Sequence, residues 1–334
     1  MSQPPPGPPA PDLVLATSIA PSDTSTSIVL DLPHGPQIQT GRIELEHHRD
    51  LVYVSRRSPD GRPLELALDL MVPRTPGPKP IVVYLTGGGF VISPKDGALE
   101  RRGYVAEAGY AVASVRYRTI LDGATYVDGV ADVKSAVRFL RARAADFGLD
   151  ASRVAVWGES AGGYLAAMTG TTWGVGEFDT GDHDDQSSEV SAVIDLFGPS
   201  DLLKTAADFD EAAQRANLAP GNPASGYVFG PGSARSLADD PAAVAEADPA
   251  RYVRPGTPPF LLFHGSADTL ISPSQTLLLH DALRANGVES TRYVLTGAGH
   301  GDLGFLGDYE AVLPWTTRET MDRIVEFLDR KLKL

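Results

Sequence analysis

The sequence predicts an α/β domain with a mostly parallel sheet and helices on both faces. Apolar runs of strand length alternate with segments of helical spacing along most of the chain, which is typical of this class. The run at 80–89 is a continuous apolar strand that ends in glycines, as expected of a strand covered on both faces, and 258–268 is predicted as a further strand. The earlier runs at 42–48, 51–56 and 64–72 alternate polar and apolar residues, which indicates an antiparallel edge.

The remaining elements follow from the same periodicities. Further strands are predicted at 111–118, 153–160, 191–199 and 290–300, and helices at 130–149, 161–172, 275–288 and 318–334. Residues 202–255 break the rhythm with helical pieces and Gly/Pro loops between two strands, so we expect a cap or lid insertion there. Residues 1–40, proline-rich at their start, are expected to form a flexible or partly ordered arm, and 41–334 the main domain.

The composition excludes several kinds of chemistry and partner. The chain of 334 residues has no cysteine, which excludes disulfides, thiolate zinc sites and a cysteine nucleophile. Its 43 acidic and 29 basic residues give a net charge of −14, so nucleic acid and anionic membranes are disfavoured, while a specific homodimer is permitted. Neither a signal peptide nor a membrane-length apolar run is visible, so we expect a cytoplasmic location; a chain whose leader had been removed would read the same way.

The stretch GESAGG carries the strongest chemical signal. Gly158-Glu159-Ser160-Ala161-Gly162 fits the pattern G-x-S-x-G, and it lies between a predicted strand and a predicted helix. A sharp turn in that context exposes the serine at the top of the sheet, where a neighbouring base can activate its hydroxyl. The sequence therefore predicts Ser160 as a nucleophile, with a structural Gly/Ser turn as the alternative.

A glycine run ends an earlier strand, in YLTGGGF. Acyl transfer develops negative charge on a carbonyl oxygen, and backbone N–H groups can stabilise that charge. We expect the amides of Gly88 and Gly89 to do so, with the amide of Ala161 as the third donor. A phosphate loop is disfavoured because no Gly-Lys-Ser/Thr follows.

A base and an acid follow two later strands. His300 lies in GAGHGD and Asp268 in HGSAD, so histidine can take the serine proton while the aspartate fixes its tautomer. Asp195 and Asp201 are alternative acids that fit the position less well. His264 is expected to be packed, not catalytic.

At this point the chain resembles the α/β-hydrolase superfamily. Within it, the sequence is most similar to the esterase/lipase branch of hormone-sensitive-lipase-like enzymes and bacterial feruloyl- and acetylxylan-esterase-like carboxylesterases. The resemblance runs from about residue 60 to the C-terminus, through TGGGF, YRT, VAVWGESAGGYLAAM, PPFLLFHGSAD and GAGHGD. It implies the α/β-hydrolase fold and carboxylic-ester hydrolysis through an acyl-enzyme, without cofactor or metal. One position departs: Thr86 stands where the family usually has the histidine of His-Gly-Gly-Gly.

The resulting hypothesis is a serine carboxylesterase for small to medium carboxylic esters, with a small-molecule substrate. The same residues could serve acyl transfer, amide or lactone cleavage or peptidase activity, and a non-catalytic ligand-binding relative is the alternative from another class. Phe90, Tyr117 and Tyr164 are candidates for the wall of the acyl pocket. The acidic run 179–188 lacks calcium-loop spacing and is interpreted as a solvated loop near the rim of the site.

Overall fold

The computed structural model describes residues 14–32, 34–301 and 312–333. Its strands are β1 (Ile28–Leu30), β2 (Leu45–Arg57), β3 (Pro63–Pro73), β4 (Lys79–Leu85), β5 (Ala111–Val115), β6 (Leu149–Glu159), β7 (Ala192–Leu196), β8 (Phe260–Gly265) and β9 (Ser290–Leu295). Its α-helices are α1 (Leu99–Glu107), α2 (Tyr126–Ala142), α3 (Ala144–Phe147), α4 (Ala161–Thr171), α5 (Glu211–Leu218), α6 (Pro223–Phe229), α7 (Pro241–Ala245), α8 (Ser274–Ala285) and α9 (Arg318–Leu332).

The strands form one sheet in the order β1-β9-β8-β7-β6-β4-β5-β3-β2. The first seven strands in this order, β1 to β5 across the sheet, are parallel to one another. Strand β3 pairs antiparallel with both β5 and β2. The prediction of a mostly parallel sheet with an antiparallel edge is therefore confirmed. Parallel strands end at a common edge, so the loops after β4, β6, β8 and β9 lie close together.

The two faces of the sheet are buried in separate hydrophobic clusters. In β4, Ile81 and Val83 point into one cluster, while Val82 and Tyr84 point into the other. Helices α2, α4 and α8 cover the first face, and α1 and α9 cover the second. This cover explains the continuously apolar central strands, because both faces of a buried parallel sheet need apolar side chains.

Two elements were not foreseen from the sequence. Strand β1 is three residues long and half-exposed, and it extends the sheet by pairing with β9, so its periodicity signal is minimal. Helix α1 carries Arg101, Arg102 and Gly103 among its buried residues, so it lacks an apolar stripe. Elsewhere the boundaries differ: the runs at 42–48 and 51–56 belong to the single, bulged β2, and the predicted helix 130–149 is divided at Arg143.

Short helices fill the interval between β7 and β8, over the region where an insertion was predicted. The N-terminal segment packs against it: Ile19 bridges to Phe209, and the backbone N–H and hydroxyl of Thr17 donate to Asp210 at 2.8 and 2.9 Å. Residues 1–13, which include the proline-rich start of the predicted arm, lie outside the described residues. Within the described ranges, no helix is both long enough and apolar enough to cross a membrane.

Candidate active site

Ser160 lies at the turn between β6 and α4. Its backbone has φ 52° and ψ −123°, a conformation that non-glycine residues rarely adopt and that stores about 1–3 kcal/mol of strain. The flanking glycines have steric reasons: a Cβ at Gly158 would collide with the Gly162 carbonyl, and one at Gly162 with the Leu85 carbonyl. The glycine spacing of the motif therefore matches a tight elbow that directs Ser160 away from the strand.

Ser160, His300 and Asp268 form one line of hydrogen bonds. His300 Nε2 lies 2.8 Å from Ser160 Oγ, and His300 Nδ1 lies 2.8 Å from Asp268 Oδ2. Ser160 follows β6, Asp268 follows β8 and His300 follows β9, so the sheet brings together residues up to 140 positions apart. All three side chains are buried, so water screens the interaction between Asp268 and a protonated His300 only weakly.

The carboxylate of Asp268 is held ionised. Its Oδ1 accepts hydrogen bonds from the backbone N–H groups of Leu270 and Ile271, each at 2.9 Å, and its Oδ2 faces His300 and, at 3.3 Å, His264. Burial by itself would raise the pKa of Asp268, but the charge of His300 and the hydrogen bonds from His264 and His300 outweigh it and hold the pKa well below its ordinary value. Asp268 therefore remains an acceptor and a negative partner for an imidazolium.

Asp195 and Asp201 lie away from His300, whereas His264 contacts the carboxylate of Asp268. Asp195 is buried in β7, where its Oδ1 accepts from Gly198 N–H at 2.9 Å. Asp201 caps a short turn and pairs with Lys204 at 2.8 Å. His264 is fully buried and packed, with Nδ1 3.1 Å from the Thr276 hydroxyl. Of the three carboxylates considered, Asp268 is the one hydrogen-bonded to His300.

Asp195 gives a pH-dependent prediction. Burial raises the pKa of Asp195 from 3.8 to about 7, although the hydrogen bond from the Gly198 N–H opposes this rise. Between these two pH values the carboxyl group is protonated in the folded protein and ionised in the unfolded chain. Its stabilisation is lost as pH rises through that window. Relative to Asp195→Asn, the wild-type free energy of unfolding should fall by about 3 kcal/mol between about pH 5 and pH 8. Urea unfolding of both proteins measures this; a difference that is constant across the range would contradict it.

The proposed oxyanion loop lies beside Ser160. Gly88 and Gly89 have φ of 148° and 60°, and a Cβ at Gly88 would collide with the Ile92 carbonyl, so this loop requires glycine. Gly89 and Ala161 line the same cavity as Ser160, whereas Gly88 lines the adjoining one. Thr86 is buried, and its hydroxyl has no hydrogen-bond partner among the described residues.

A cavity of about 130 Å³ opens at Ser160. Residues of five segments line it: the glycine loop, the elbow, the region after β7, the insertion and the loop after Asp268. The lining residues besides Ser160 are Gly89, Phe90, Ala161, Pro199, Leu202, Thr205, Asn217, Asn222, Pro223, Ala224, Leu270 and Ile271. The site thus offers a small and mainly apolar space next to the serine hydroxyl.

The three aromatic candidates for the pocket wall behave differently. Phe90 lines the cavity. The prediction is wrong for Tyr117 and Tyr164, which are fully buried behind it: their hydroxyls donate to the carbonyls of Thr86 and Ala247, each at 2.7 Å. Both rings brace backbone near the site, because a buried tyrosine hydroxyl needs a partner.

Some supporting residues were not identified from the sequence. Arg101 of α1 pairs with Glu159, the neighbour of Ser160, at 2.7 Å, and both side chains are buried. Because α1 itself was not predicted, its contact with the elbow could not be. Leu270 and Ile271 were also missed, although their backbone N–H groups hold Asp268.

The acidic run 179–188 lies against α2, not at the cavity of Ser160. Asp179 pairs with Arg138 and accepts from Ser188 at 2.8 Å, and its carboxylate is 3.8 Å from the Lys134 ammonium. The expectation that this loop borders the site is therefore wrong. In the part of the chain that the structure describes, no group of three or more His, Cys, Asp or Glu side chains could hold a metal ion.

Comparison with known structures defines the class of fold. A truncated carbohydrate esterase from gut microbiota superposes with a TM-score of 0.72, covering 89% of this chain and 99% of its own, at 22% sequence identity. At that identity the likeness shows the fold alone, and the fold is that of the α/β-hydrolases.

The BD-FAE family model matches residues 68–283, and the chain belongs to this family. Among curated relatives, a probable isoprenylcysteine alpha-carbonyl methylesterase, ICMEL1, from Arabidopsis thaliana is 29% identical over 77% of this chain and 52% of its own length. Esterase LipC from Mycobacterium tuberculosis is 28% identical over 67% of this chain and 53% of its own. The chain spans about half the length of these relatives. The predicted resemblance to α/β-hydrolase esterases is confirmed.

Proposed function

We propose that the protein is a serine carboxylesterase that hydrolyses small to medium carboxylic esters through an acyl-enzyme. The observation that carries this proposal is the continuous hydrogen-bonded line from Asp268 through His300 to Ser160, with both distances at 2.8 Å. The position of Ser160 on a strained elbow at the cavity supports it. The relatives are named as esterases, which also supports ester hydrolysis as the reaction class.

The geometry supports a two-step reaction. Ser160 Oγ attacks the ester carbonyl while its proton passes to His300 Nε2, and the amides of Gly88, Gly89 and Ala161 stabilise the oxyanion. Each well-placed donor of this kind is worth about 100- to 1,000-fold in rate. Collapse of the intermediate expels the alcohol, which takes the proton from His300, and leaves the acyl group on Ser160.

Water completes the cycle by the same route in reverse. His300 Nε2 takes a proton from the water as it attacks the acyl-enzyme, and then returns that proton to Ser160 Oγ as the carboxylic acid leaves. Throughout, Asp268 keeps Nδ1–H directed toward itself and stabilises the imidazolium. Its depressed pKa suits this role, because it stays an anion in the buried site.

We infer that residues 202–255 act as a cap that limits the acyl group. Leu202, Asn217, Asn222 and Ala224 come from this segment and line the cavity together with Gly89 of the glycine loop. A cavity of about 130 Å³ is close to the roughly 150 Å³ that accommodates a benzene-sized molecule. The expected acyl groups therefore have about two to six carbons.

Hydrolysis of p-nitrophenyl esters from acetyl to decanoyl tests the proposal. We expect turnover with an optimum at short chains and a steep fall toward decanoyl. Leu202→Ala should move the optimum to longer chains, because Leu202 lines the cavity, whereas Leu237→Ala removes an equally buried leucine from the same segment outside the wall and should not. A folded wild type that is inert on every ester would overturn the assignment, and an unmoved optimum would overturn the role of the cap.

A further inference from the structure

We propose that Phe197 and Trp315 form an aromatic clamp that positions His300 for proton transfer, so that both are positioning residues of this site. The inference rests on the proposed function, since it assigns His300 its role as a base. It goes beyond that function by naming what holds the imidazole in line with Ser160.

The loop that carries His300 needs external support. It contains Gly297, Gly299 and Gly301, and glycine-rich backbone has many conformations available. The hydrogen bonds of His300 to Asp268 and Ser160 hold two opposite points of its ring, and the remaining rotation of the ring is a tilt about the line between them. A contact on the side of the ring is what restricts that tilt.

Phe197 supplies this contact. Its ring centroid lies 4.6 Å from that of His300, with 62° between the planes, and 4.5 Å from that of Trp315, with 71°. Both are favourable edge-to-face arrangements of buried rings. The indole Nε1–H of Trp315 donates to the Gly299 carbonyl at 3.0 Å, so the clamp holds the backbone before His300 as well as its ring.

The clamp also encloses the residue after His300. A Cβ at Gly301 would lie 2.9 Å from Phe197 Cζ and 3.0 Å from Trp315 Cδ1. Such distances leave no room for a side chain, so the fit between the two rings and the loop is close on both sides of His300.

The backbone at Phe197 is itself strained. Its φ of 46° is rare for an aromatic residue, yet its N–H donates to Phe263 O at 2.8 Å, and the next N–H, of Gly198, donates to Asp195. Strained residues that the surrounding structure holds in place occur mainly at functional sites. With this backbone conformation the Phe197 ring contacts His300, and the hydrogen bond to Phe263 of β8 holds the turn against the sheet.

Replacing Phe197 by leucine tests the clamp. Leucine keeps a Cβ, so the backbone strain is matched, but the aromatic contact is lost. We expect kcat on a short p-nitrophenyl ester to fall about 10-fold or more, because small misplacements of a catalytic group are costly. KM should stay within about twofold, since Phe197 does not line the cavity and the loss falls on the transition state.

Phe178→Leu is the matched control. Phe178 is equally buried and contacts Tyr252 edge-to-face at 5.5 Å, away from His300. If Phe197→Leu and Phe178→Leu have the same kcat, the clamp is overturned. If Phe197→Leu does not fold, Trp315→Phe replaces it: loss of the bond to Gly299 should lower kcat in the same way, and an unchanged kcat would overturn the proposal.

A readout without turnover separates this proposal from the proposed function. We expect a deshielded proton NMR signal from the hydrogen bond between His300 Nδ1 and Asp268 in the free protein, because the two atoms lie 2.8 Å apart. It should be present in wild type and Phe178→Leu and broadened or lost in Phe197→Leu, even if the wild type proves inert on esters. An identical signal in all three proteins, together with unchanged kcat wherever turnover is measurable, would refute the clamp.

Discussion

Ser160→Ala is expected to reduce ester hydrolysis to the uncatalysed background, a loss of about 10⁴-fold or more in kcat. The reason is that Ser160 Oγ is the hydroxyl 2.8 Å from His300 Nε2, and alanine leaves the base without a nucleophile. Alanine keeps the Cβ and the backbone conformation, so the protein should still fold. Steady-state rates on p-nitrophenyl butyrate, with thermal unfolding of both proteins, measure this.

Ser200→Ala is a suitable control for this variant. Ser200 is also buried, and its hydroxyl donates to the main-chain carbonyl of Gln275 at 2.8 Å, so its loss removes one hydrogen bond near the site without changing a contact of His300. Its activity should stay within about threefold of wild type, because one neutral hydrogen bond changes stability by only about 1 kcal/mol. A folded Ser160→Ala protein that retained a substantial share of the wild-type rate would exclude Ser160 as the nucleophile.

Asp268→Asn should lower kcat by about 10⁴-fold. The amide oxygen can still accept from the N–H groups of Leu270 and Ile271, which leaves the NH₂ group facing His300 Nδ1. His300 Nδ1 must then accept a hydrogen bond from this NH₂ group, which places the imidazole proton on Nε2. In this tautomer Nε2 cannot take the proton of Ser160, so the variant should be folded and nearly inactive.

Asp201→Asn controls for the loss of a carboxylate in the same region. Asp201 was an alternative acid in the sequence, but in the structure it caps a turn and pairs with partly exposed Lys204. We expect a change of less than about threefold, since pairs of this kind contribute little. Comparable losses in the two variants, or a fully active Asp268→Asn protein, would contradict the assignment of Asp268.

Much of the site could be predicted because each part has a local signature. The elbow of Ser160 needs glycines two residues away on either side, and the steric contacts at Gly158 and Gly162 show why. Asp268 and His300 follow apolar strands, and parallel strands bring their ends to one edge of the sheet. Pattern and chain order therefore sufficed to bring these residues together.

The remaining features depend on tertiary contacts that leave no local pattern. Nothing near Phe197 in the sequence indicates that its ring packs on His300, more than 100 residues later. Tyr117 and Tyr164 follow the motifs closely enough to suggest a pocket wall, yet their hydroxyls turn toward backbone carbonyls behind it. Helix α1 was not predicted because buried Arg101 interrupts its apolar face. The partner of Arg101 is Glu159, the neighbour of Ser160.

Covalent trapping of Ser160 is the measurement that tests the central claim most directly. Wild-type protein and Ser160→Ala are incubated with a fluorophosphonate, and intact mass and peptide mapping locate the adduct. The account predicts one adduct per wild-type chain, on the peptide that contains Ser160, and a loss of esterase activity in proportion to labelling. It predicts no adduct in Ser160→Ala. Folded wild-type protein that remains unlabelled, or an adduct that forms equally in Ser160→Ala, would contradict it.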